Sequence, residues 1–447
     1  MTGYLLLAFT FAAAAIAPAA DDSAAARGYR FLTTKSYLPP DFNQALFEDL
    51  WRRWPEPLRG QAEKSSPEER RRLAFERYGL TPRPDAPEKP LQYVVDAQGN
   101  WSMNCFACHG GQVNGAVIPG LPNSNFALET LTEDIRATKL AQEKPLGRMD
   151  LGSVFMPLGT TRGTTNAVMF GVVLMGFRDP ELNVHRDRPV PAMTHHDMDA
   201  PPWWHYSKKH HIYIDGFAQK GHRALMQFML VQQNGPEKFR EWETDFRDVE
   251  AYLESLQPPK YPWGTDAALV ERGQQVFTKS CAACHGNYGP EGKYPGKMVA
   301  IEEVATDPVR LKGLTPEHRA AYGKSWFAEF GKHETLEKPA GYVAPPLNGI
   351  WASAPYLHNG SVPTLWHLLH PEERPVVWTR KSSQGYDQKR GGLEVETFAE
   401  RPPVKSAAER REYFDTRLYG KSSAGHTFPS ALPEEDRRAL LEYLKTL

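Results

Sequence analysis

The residues best suited to chemistry in this chain are its four cysteines, all of which lie in two copies of one Cys-x-x-Cys-His motif, at 105–109 and at 281–285. Two thiols three residues apart lie on the same side of one helical turn, where both can form thioethers to the vinyl groups of one haem. The adjoining histidine can then bind the iron. The pattern predicts two covalently bound haem c groups, held by Cys105, Cys108, His109, Cys281, Cys284 and His285.

Other uses of these cysteines fit the pattern less well. A thioredoxin-type redox pair needs no histidine directly after it, in either copy. A zinc site built from both pairs would join motifs 176 residues apart, far beyond ordinary zinc-ribbon spacing. Two structural disulfides remain an alternative, but they give His109 and His285 no role.

The segments around the second motif have the order of a cytochrome c domain. Residues 268–279 predict a helix that leads into the motif, and 433–447 predict a closing helix with a proline at its first turn. A stretch rich in turn formers, 258–264, precedes this unit and predicts a domain boundary near residue 260.

The first half repeats these landmarks with different spacing. Residues 252–256 resemble 443–447 at an offset of 191, and 200–202 with 215–216 resemble 344–346 with 359–360 at an offset of 144. We therefore expect two related haem domains, at 21–260 and 261–447. Residues 41–54 and 66–78 predict helices of an N-terminal extension, and 91–101 predict a hairpin before the first motif.

Composition supports a folded chain with mixed connections. The 447 residues carry 53 basic and 54 acidic side chains, so no global charge favours nucleic acid or an anionic membrane as partner. The 38 prolines and 35 glycines predict long irregular insertions. The expected fold class is mainly α, with two cytochrome c-like haem domains and an N-terminal helical extension.

The first 20 residues resemble a secretory signal peptide. An apolar run at 4–17 precedes Ala17-Pro18-Ala19, although no lysine or arginine precedes the run. We expect removal of this segment and a periplasmic or secreted protein, with an uncleaved membrane anchor as the alternative. No later segment is apolar enough to predict a stable membrane span.

The two haems are expected to differ in their sixth ligand. His426 lies in a glycine-containing loop just before the closing helix and is the predicted second ligand of the second haem, with Met298 in reserve. No histidine or methionine follows His109 until Met149, so the first haem is predicted to be open to a substrate. Ligation of the first iron by His222, Met226 or Met229 is the alternative.

Three further residues are candidates for catalysis or electron transfer. Under the offset of 144, His358 of the second half corresponds to Ile214 of the first. His358 is either a proton or hydrogen-bond relay near the haems or a hydrogen-bonded core histidine. Trp203 and Trp204 are either aromatic stepping stones between the haems or core residues.

Several other histidines cluster near this tryptophan pair. With Lys208 and Lys209 beside them, they predict a solvated polar loop. The members of this cluster are His195, His196, His205, His210 and His211.

Together with the two haem motifs, the stretches 344–351 and 356–365 resemble the bacterial di-haem cytochrome c peroxidase and MauG superfamily. The sequence Ala424-Gly425-His426 before the closing helix is most similar to its rubber oxygenase branch. The resemblance implies a reactive N-terminal haem on His109, a bis-histidine haem on His285 and His426, a functional His358 and a tryptophan between the haems.

These observations predict an exported di-haem c-type cytochrome that acts as an oxidoreductase of the peroxidase or oxygenase type. It would activate dioxygen or peroxide at the first haem, while the second haem relays electrons from a redox partner protein or a small-molecule donor. The alternative is a non-catalytic electron carrier whose two irons are both six-coordinate.

Overall fold

A computed structural model describes residues 22–447. The chain is mixed and helix-rich, with 43% helix and 12% strand. The predicted signal segment at 1–20 lies outside the described residues. Between residues 22 and 447, no helix combines the length and the apolar character needed to cross a membrane.

The helices before residue 260 are α1 (Ala24–Thr34), α2 (Gln44–Asp49), α3 (Leu58–Lys64), α4 (Pro67–Tyr78), α5 (Phe106–His109), α6 (Leu128–Ala141), α7 (Arg148–Phe155), α8 (Ala167–Gly176), α9 (His222–Leu225), α10 (Pro236–Glu241) and α11 (Glu243–Ser255). Those after it are α12 (Ala267–Ser280), α13 (Ala282–His285), α14 (Ile301–Val304), α15 (Val309–Gly313), α16 (Pro316–Gly323), α17 (Leu365–Leu369), α18 (Ala407–Arg411) and α19 (Glu434–Thr446).

Short 3-10 helices join several of these elements, at Leu50–Arg53, Trp203–Lys208, Met226–Met229, Trp326–Gly331, Ile350–Ala352, Pro371–Glu373 and Phe428–Ala431. The strands are β1 (Phe42–Asn43), β2 (Pro82–Arg83), β3 (Ala86–Pro90), β4 (Tyr93–Val95), β5 (Asn100–Met103), β6 (Gln112–Val113), β7 (Ala116–Val117), β8 (His211–Ile212), β9 (Ala218–Gln219), β10 (Met298–Ala300), β11 (Gly341–Val343), β12 (Val377–Arg380), β13 (Tyr386–Asp387), β14 (Gly392–Leu393), β15 (Val395–Phe398) and β16 (Tyr413–Asp415).

The strands form small antiparallel sheets at the edges of the helical core. The three-stranded sheets have the orders β1-β5-β4 and β15-β12-β16. Pairing of Tyr93 with Met103 and of Val95 with Trp101 confirms the hairpin predicted before the first haem motif. The expected helix at 41–54 is shorter than predicted, because β1 and a 3-10 helix take up its two ends.

Two glycine-mediated helix crossings organise the core. Helix α1 crosses α11 at Gly28, where an added Cβ would lie 2.1 Å from the carbonyl oxygen of Asp248. Helix α12 crosses α19 at Gly273, where an added Cβ would lie 2.1 Å from the carbonyl oxygen of Ala439. Only a residue without a side chain permits so close an approach of two backbones, so each crossing depends on its glycine.

These crossings reveal a helix that the sequence analysis did not identify. Helix α12 leads directly into the second haem motif, whereas residues 35–104 separate α1 from the first. This insertion hides the correspondence, although Arg27-Gly28 and Arg272-Gly273 have the same two residue types at the two crossings. The pairing of α1 with α11 and of α12 with α19 gives each half of the chain the same helix arrangement.

Local sequence explains the ends of the two helices in the second crossing. The Asp266 side chain accepts hydrogen bonds from the backbone N–H groups of Ala268 and Leu269 and so caps the start of α12. Pro433 directly precedes α19, and Leu440, Leu441 and Leu444 form its buried face.

Candidate haem sites

The first Cys-x-x-Cys-His motif lies on the single turn of α5. The Asn104 side chain accepts a hydrogen bond from the Phe106 N–H at 2.9 Å and fixes the start of this turn. Phe106 is buried in the core, whereas Cys105, Cys108 and His109 keep part of their surface accessible. This turn therefore leaves both thiols and the imidazole partly accessible.

The second motif is built in the same way on α13, at the end of α12. The backbone N–H of Cys281 donates to the Phe277 carbonyl at 2.8 Å, so the motif continues directly from the longer helix. Cys281, Cys284 and His285 are half-buried. Both motifs thus form a single helical turn, in different surroundings.

The state of the thiols argues against the alternatives considered for them. All four cysteines are free, so no disulfide joins them. Burial raises the pKa of Cys105 to about 12 and that of Cys281 to about 11, opposite to the lowered pKa of a redox-active thiol. In the described part of the chain, no three His, Cys, Asp or Glu side chains converge as a metal site would require. Thioether attachment of haem needs no such convergence.

A proline carbonyl accompanies each motif histidine. His285 Nδ1 donates to the carbonyl oxygen of Pro345 at 2.8 Å, which leaves the lone pair of Nε2 free for a metal. The carbonyl of Pro201 is the corresponding neighbour of His109, and it partly opposes the lowering of the His109 pKa by burial. Pro201 and Pro345 are related by the sequence offset of 144. The recurring segment therefore supplies a carbonyl neighbour for each motif histidine, a role that the sequence analysis did not assign to it.

Burial keeps both imidazoles in the form that binds metal. It lowers the pKa of His109 to about 4, and it also lowers the pKa of His285. A histidine must be neutral to donate its nitrogen lone pair to iron. His109 Nδ1 is buried without a hydrogen-bond partner within normal distance, so this ring is held mainly by packing.

His426 faces His285. The centroids of the two rings lie 6.2 Å apart with an interplanar angle of 65°. Two imidazoles bound on opposite sides of one metal, each with a metal–nitrogen bond of about 2 Å, have centroids about 6 Å apart. Burial lowers the pKa of His426 to about 3, and its buried Nδ1 has no hydrogen-bond partner. The separation of the two rings therefore fits a bis-histidine haem.

The surroundings of His109 are different. Its ring stacks on Trp203, with centroids 4.7 Å apart and an interplanar angle of 25°. No second imidazole among residues 22–447 makes a ring contact with it. His222 is paired with Glu243 at 3.0 Å, and Met226 and Met229 are buried in the apolar core. The contacts of these three alternative ligands are therefore explained without an iron.

The two tryptophans connect the first motif to the second half of the chain. Trp203 contacts both Phe106 and His109, whereas the Trp204 Nε1–H donates to the carbonyl oxygen of Asn348 at 2.6 Å. The next residue back from Asn348, Leu347, donates its N–H to the Tyr288 hydroxyl at 2.7 Å. Tyr288 in turn donates to the His285 carbonyl at 3.0 Å, which completes a chain of contacts between the motifs.

His358 lies in a polar cluster that contains Tyr342 and Arg310. Its ring packs on Tyr342 with centroids 4.6 Å apart. Burial and the nearby Arg310 guanidinium lower the pKa of His358 to about 3, so the ring is neutral near pH 7. A neutral imidazole can donate one hydrogen bond and accept another, which suits a hydrogen-bond relay better than a strong general base.

The expectation of a solvated histidine loop is wrong for two of its members. His196 and His205 are only 2% and 3% exposed. His205 Nε2 donates to the Asn348 carbonyl at 2.9 Å, and the His196 ring lies against Gly313. The charged neighbours Lys208 and Lys209 led us to expect that His205 is exposed to solvent. The 3-10 helix at Trp203–Lys208 instead directs the His205 ring into the contact between the two halves of the chain.

Comparisons with known proteins agree with a haem site in the second half. A family model described as RoxA-like, cytochrome c-like matches residues 341–379, which include His358. The uncharacterized protein y4iM of Sinorhizobium fredii (strain NBRC 101917 / NGR234) is 27% identical over 286 residues, which cover 56% of this chain and 64% of that protein. The uncharacterized protein y4iJ of the same strain is 28% identical over 258 residues, 43% of this chain and 41% of that protein.

The family match describes only part of the second half of the chain, residues 341–379. This segment is similar to a RoxA-like cytochrome c-like domain, and a domain of that kind implies binding of haem c. The match points to the RoxA and di-haem cytochrome family. The alignments cover less than two thirds of the length of either relative.

Proposed function

We propose that this protein is a di-haem c-type cytochrome that acts as an oxidoreductase on dioxygen or peroxide. One haem domain would comprise residues 21–260, with Cys105, Cys108 and His109 as the attachment site. The other would comprise residues 261–447, with Cys281, Cys284, His285 and His426. The two helix crossings, at Gly28 and Gly273, support this division because each pairs a helix near the start of a half with one near its end.

The observation that carries the proposal is the difference between the two motif histidines. His285 faces a second imidazole across 6.2 Å, whereas the ring contact of His109 is the face of Trp203. A haem with two strong axial ligands is suited to electron transfer, and one with an open side is suited to binding a small oxidant. When bound, the haems supply the redox chemistry.

The side chains around the motifs would serve that chemistry by positioning. Hydrogen bonding from His285 Nδ1 to Pro345 fixes the ring and makes its other nitrogen a better donor to a metal. Trp203 holds the His109 ring by stacking on its face. Trp204, hydrogen-bonded to Asn348, fills the space between the two halves with an aromatic ring, and we propose that electrons pass here.

We further propose export to the periplasm or the exterior, where haem c is attached, and a redox partner protein or a small-molecule donor as the source of electrons. His358 would act as a neutral hydrogen-bonding group near the second haem. An organic substrate would be oxidised at the first haem site, where His109, Cys105 and Cys108 would hold the haem and the bound oxidant would accept the electrons.

The test is electron paramagnetic resonance of the fully haem-loaded protein before and after addition of peroxide. We expect one low-spin iron that does not respond and one high-spin or weakly ligated iron that does. His426→Ala should remove the low-spin signal, while His222→Ala, a matched change at a histidine in a partly buried ion pair with Glu243, should leave both signals unchanged. Two inert low-spin irons would instead indicate an electron carrier and would end the catalytic proposal.

A further inference from the structure

The loop that carries His426 contains two glycines, at which the backbone dihedral angles are less restricted than at other residues. It runs from Gly420 to Thr427, and Gly420 and Gly425 have φ of 74° and 78°. His426 itself has φ of 48°, a conformation that side-chain-bearing residues rarely adopt without outside support. The position of the imidazole therefore depends on contacts that hold this loop from outside.

Part of that support comes from the second half of the chain. Arg374 Nη1 donates to the carbonyl oxygens of Ser423 at 2.6 Å and Gly425 at 2.7 Å. The Asn359 side-chain amide donates to the carbonyls of Gly420 at 3.2 Å and Ser422 at 3.0 Å. These bonds join the loop to the segments around Asn359 and Arg374.

A second support reaches the loop from the first half. The Lys421 ammonium is paired with the Asp197 carboxylate, with Nζ to Oδ2 at 2.9 Å, and also contacts the Thr161 hydroxyl. The side chains of Lys421 and Asp197 are only 3% and 1% exposed, respectively. Asp197 also accepts hydrogen bonds from the hydroxyls of Thr160 at 2.5 Å and Thr164 at 2.8 Å. The ion pair is therefore buried and almost fully hydrogen-bonded.

We propose that Lys421 is a positioning residue for His426, which acts by anchoring the ligand loop to Asp197 of the other half of the chain. The inference rests on the proposed role of His426 as an axial ligand. Four residues separate Lys421 from His426. Lys421 directly follows Gly420, and His426 directly follows Gly425. The ion pair at Lys421 therefore restricts backbone rotation at Gly420, so that less rotation is passed along the loop to Gly425 and His426. Loss of the Lys421 charge leaves the buried Asp197 carboxylate with His195 Nε2, 3.4 Å from Oδ1, as its remaining ion-pair partner. Loss of the Asp197 charge leaves the buried Lys421 ammonium without this carboxylate, and either change favours local opening of the structure.

The chain contains a matched control for this ion pair. Lys139 on α6 pairs with Asp150 on α7, with Nζ to Oδ2 at 2.6 Å and side chains 9% and 2% exposed. This pair has the same chemistry and similar burial, but it joins two helices of the first half and lies on neither the His426 loop nor a haem motif. Its loss should destabilise the protein without a specific effect on the second haem.

The experiment measures how readily cyanide displaces the bis-histidine low-spin signal, defined as the resonance signal that His426→Ala removes. The haem-loaded full chain carries Lys421→Met, Asp197→Asn or the control Lys139→Met. We expect the first two variants to lose half of the signal at cyanide concentrations lower by about tenfold or more than wild type, because a weakened anchor frees the ligand. The control should match wild type within about twofold, on the same affinity scale.

The outcomes separate the two proposals. Cyanide midpoints of Lys421→Met and Asp197→Asn within about twofold of wild type would overturn the positioning role, and so would an equal shift in Lys139→Met. If Lys421→Met does not fold, the size-conserving Asp197→Asn decides alone. If His426→Ala removes no low-spin signal, the ligand assignment itself is wrong and the positioning role falls with it.

Discussion

The crossing of α12 and α19 allows a prediction about Gly273 whose magnitude follows from the structure. A Cβ at this position would lie 2.1 Å from the Ala439 carbonyl oxygen and 2.7 Å from the Tyr443 Cβ. Carbon and carbonyl oxygen atoms normally approach no closer than about 3.3 Å. In Gly273→Ala the helices must therefore separate by about 1 Å at their closest point.

Two opposing effects set the expected change in stability. Alanine is favoured over glycine inside a helix by about 0.5–1 kcal/mol. Overpacking of a well-packed contact costs about 1–3 kcal/mol, and here the neighbour is backbone, which cannot move aside alone. We expect the clash to dominate and Gly273→Ala to lower the free energy of unfolding by about 1–2 kcal/mol.

Gly152 on α7 provides the control, since nothing lies within 4 Å of an added Cβ there. Gly152→Ala should gain helix propensity without a clash, so its free energy of unfolding should rise by about 0.5–1 kcal/mol. Urea denaturation of the haem-loaded variants, followed by loss of helix circular dichroism, measures both changes. Equal shifts of the denaturation midpoint in the same direction for Gly273→Ala and Gly152→Ala would refute the close-contact argument.

Three further predictions concern other contacts. Trp204→Phe keeps an aromatic ring but loses the bond to the Asn348 carbonyl, and it should lower the free energy of unfolding in urea by about 1 kcal/mol; no change would mean that this bond does not join the halves. Burial opposes ionisation of Asp197, but Lys421 and the neighbouring hydrogen bonds outweigh it and lower the Asp197 pKa below its usual range. The ion pair therefore stabilises the fold above about pH 4, and this contribution declines as the pH falls towards the folded-state pKa. Asp197→Asn should therefore be less stable than wild type at pH 7, with a gap that narrows in urea titrations below about pH 4; a constant gap would contradict the ion pair. His358→Ala should abolish peroxide-dependent turnover while haem staining shows both haems still attached, and full activity would exclude a functional role.

The sequence alone predicted the groups that we propose to bind haem, because their chemistry is encoded locally. Two cysteines and a histidine in five consecutive residues need only one helical turn to converge, and both motifs fold as such turns, on α5 and α13. The helices α12 and α19 were also predictable, since their apolar faces and end signals lie within a single segment. In these cases a short stretch of chain contains all the information.

Tertiary structure decided what depends on distant segments. His426 meets His285 only because a loop 141 residues further along the chain folds back over it. The first crossing was hidden because the insertion at 35–104 separates α1 from its motif, and the Lys421–Asp197 pair joins residues 224 positions apart. The burial of His196 and His205 among charged neighbours has the same cause. A charged sequence predicts solvent on average, but the packing of other segments over a residue determines its exposure.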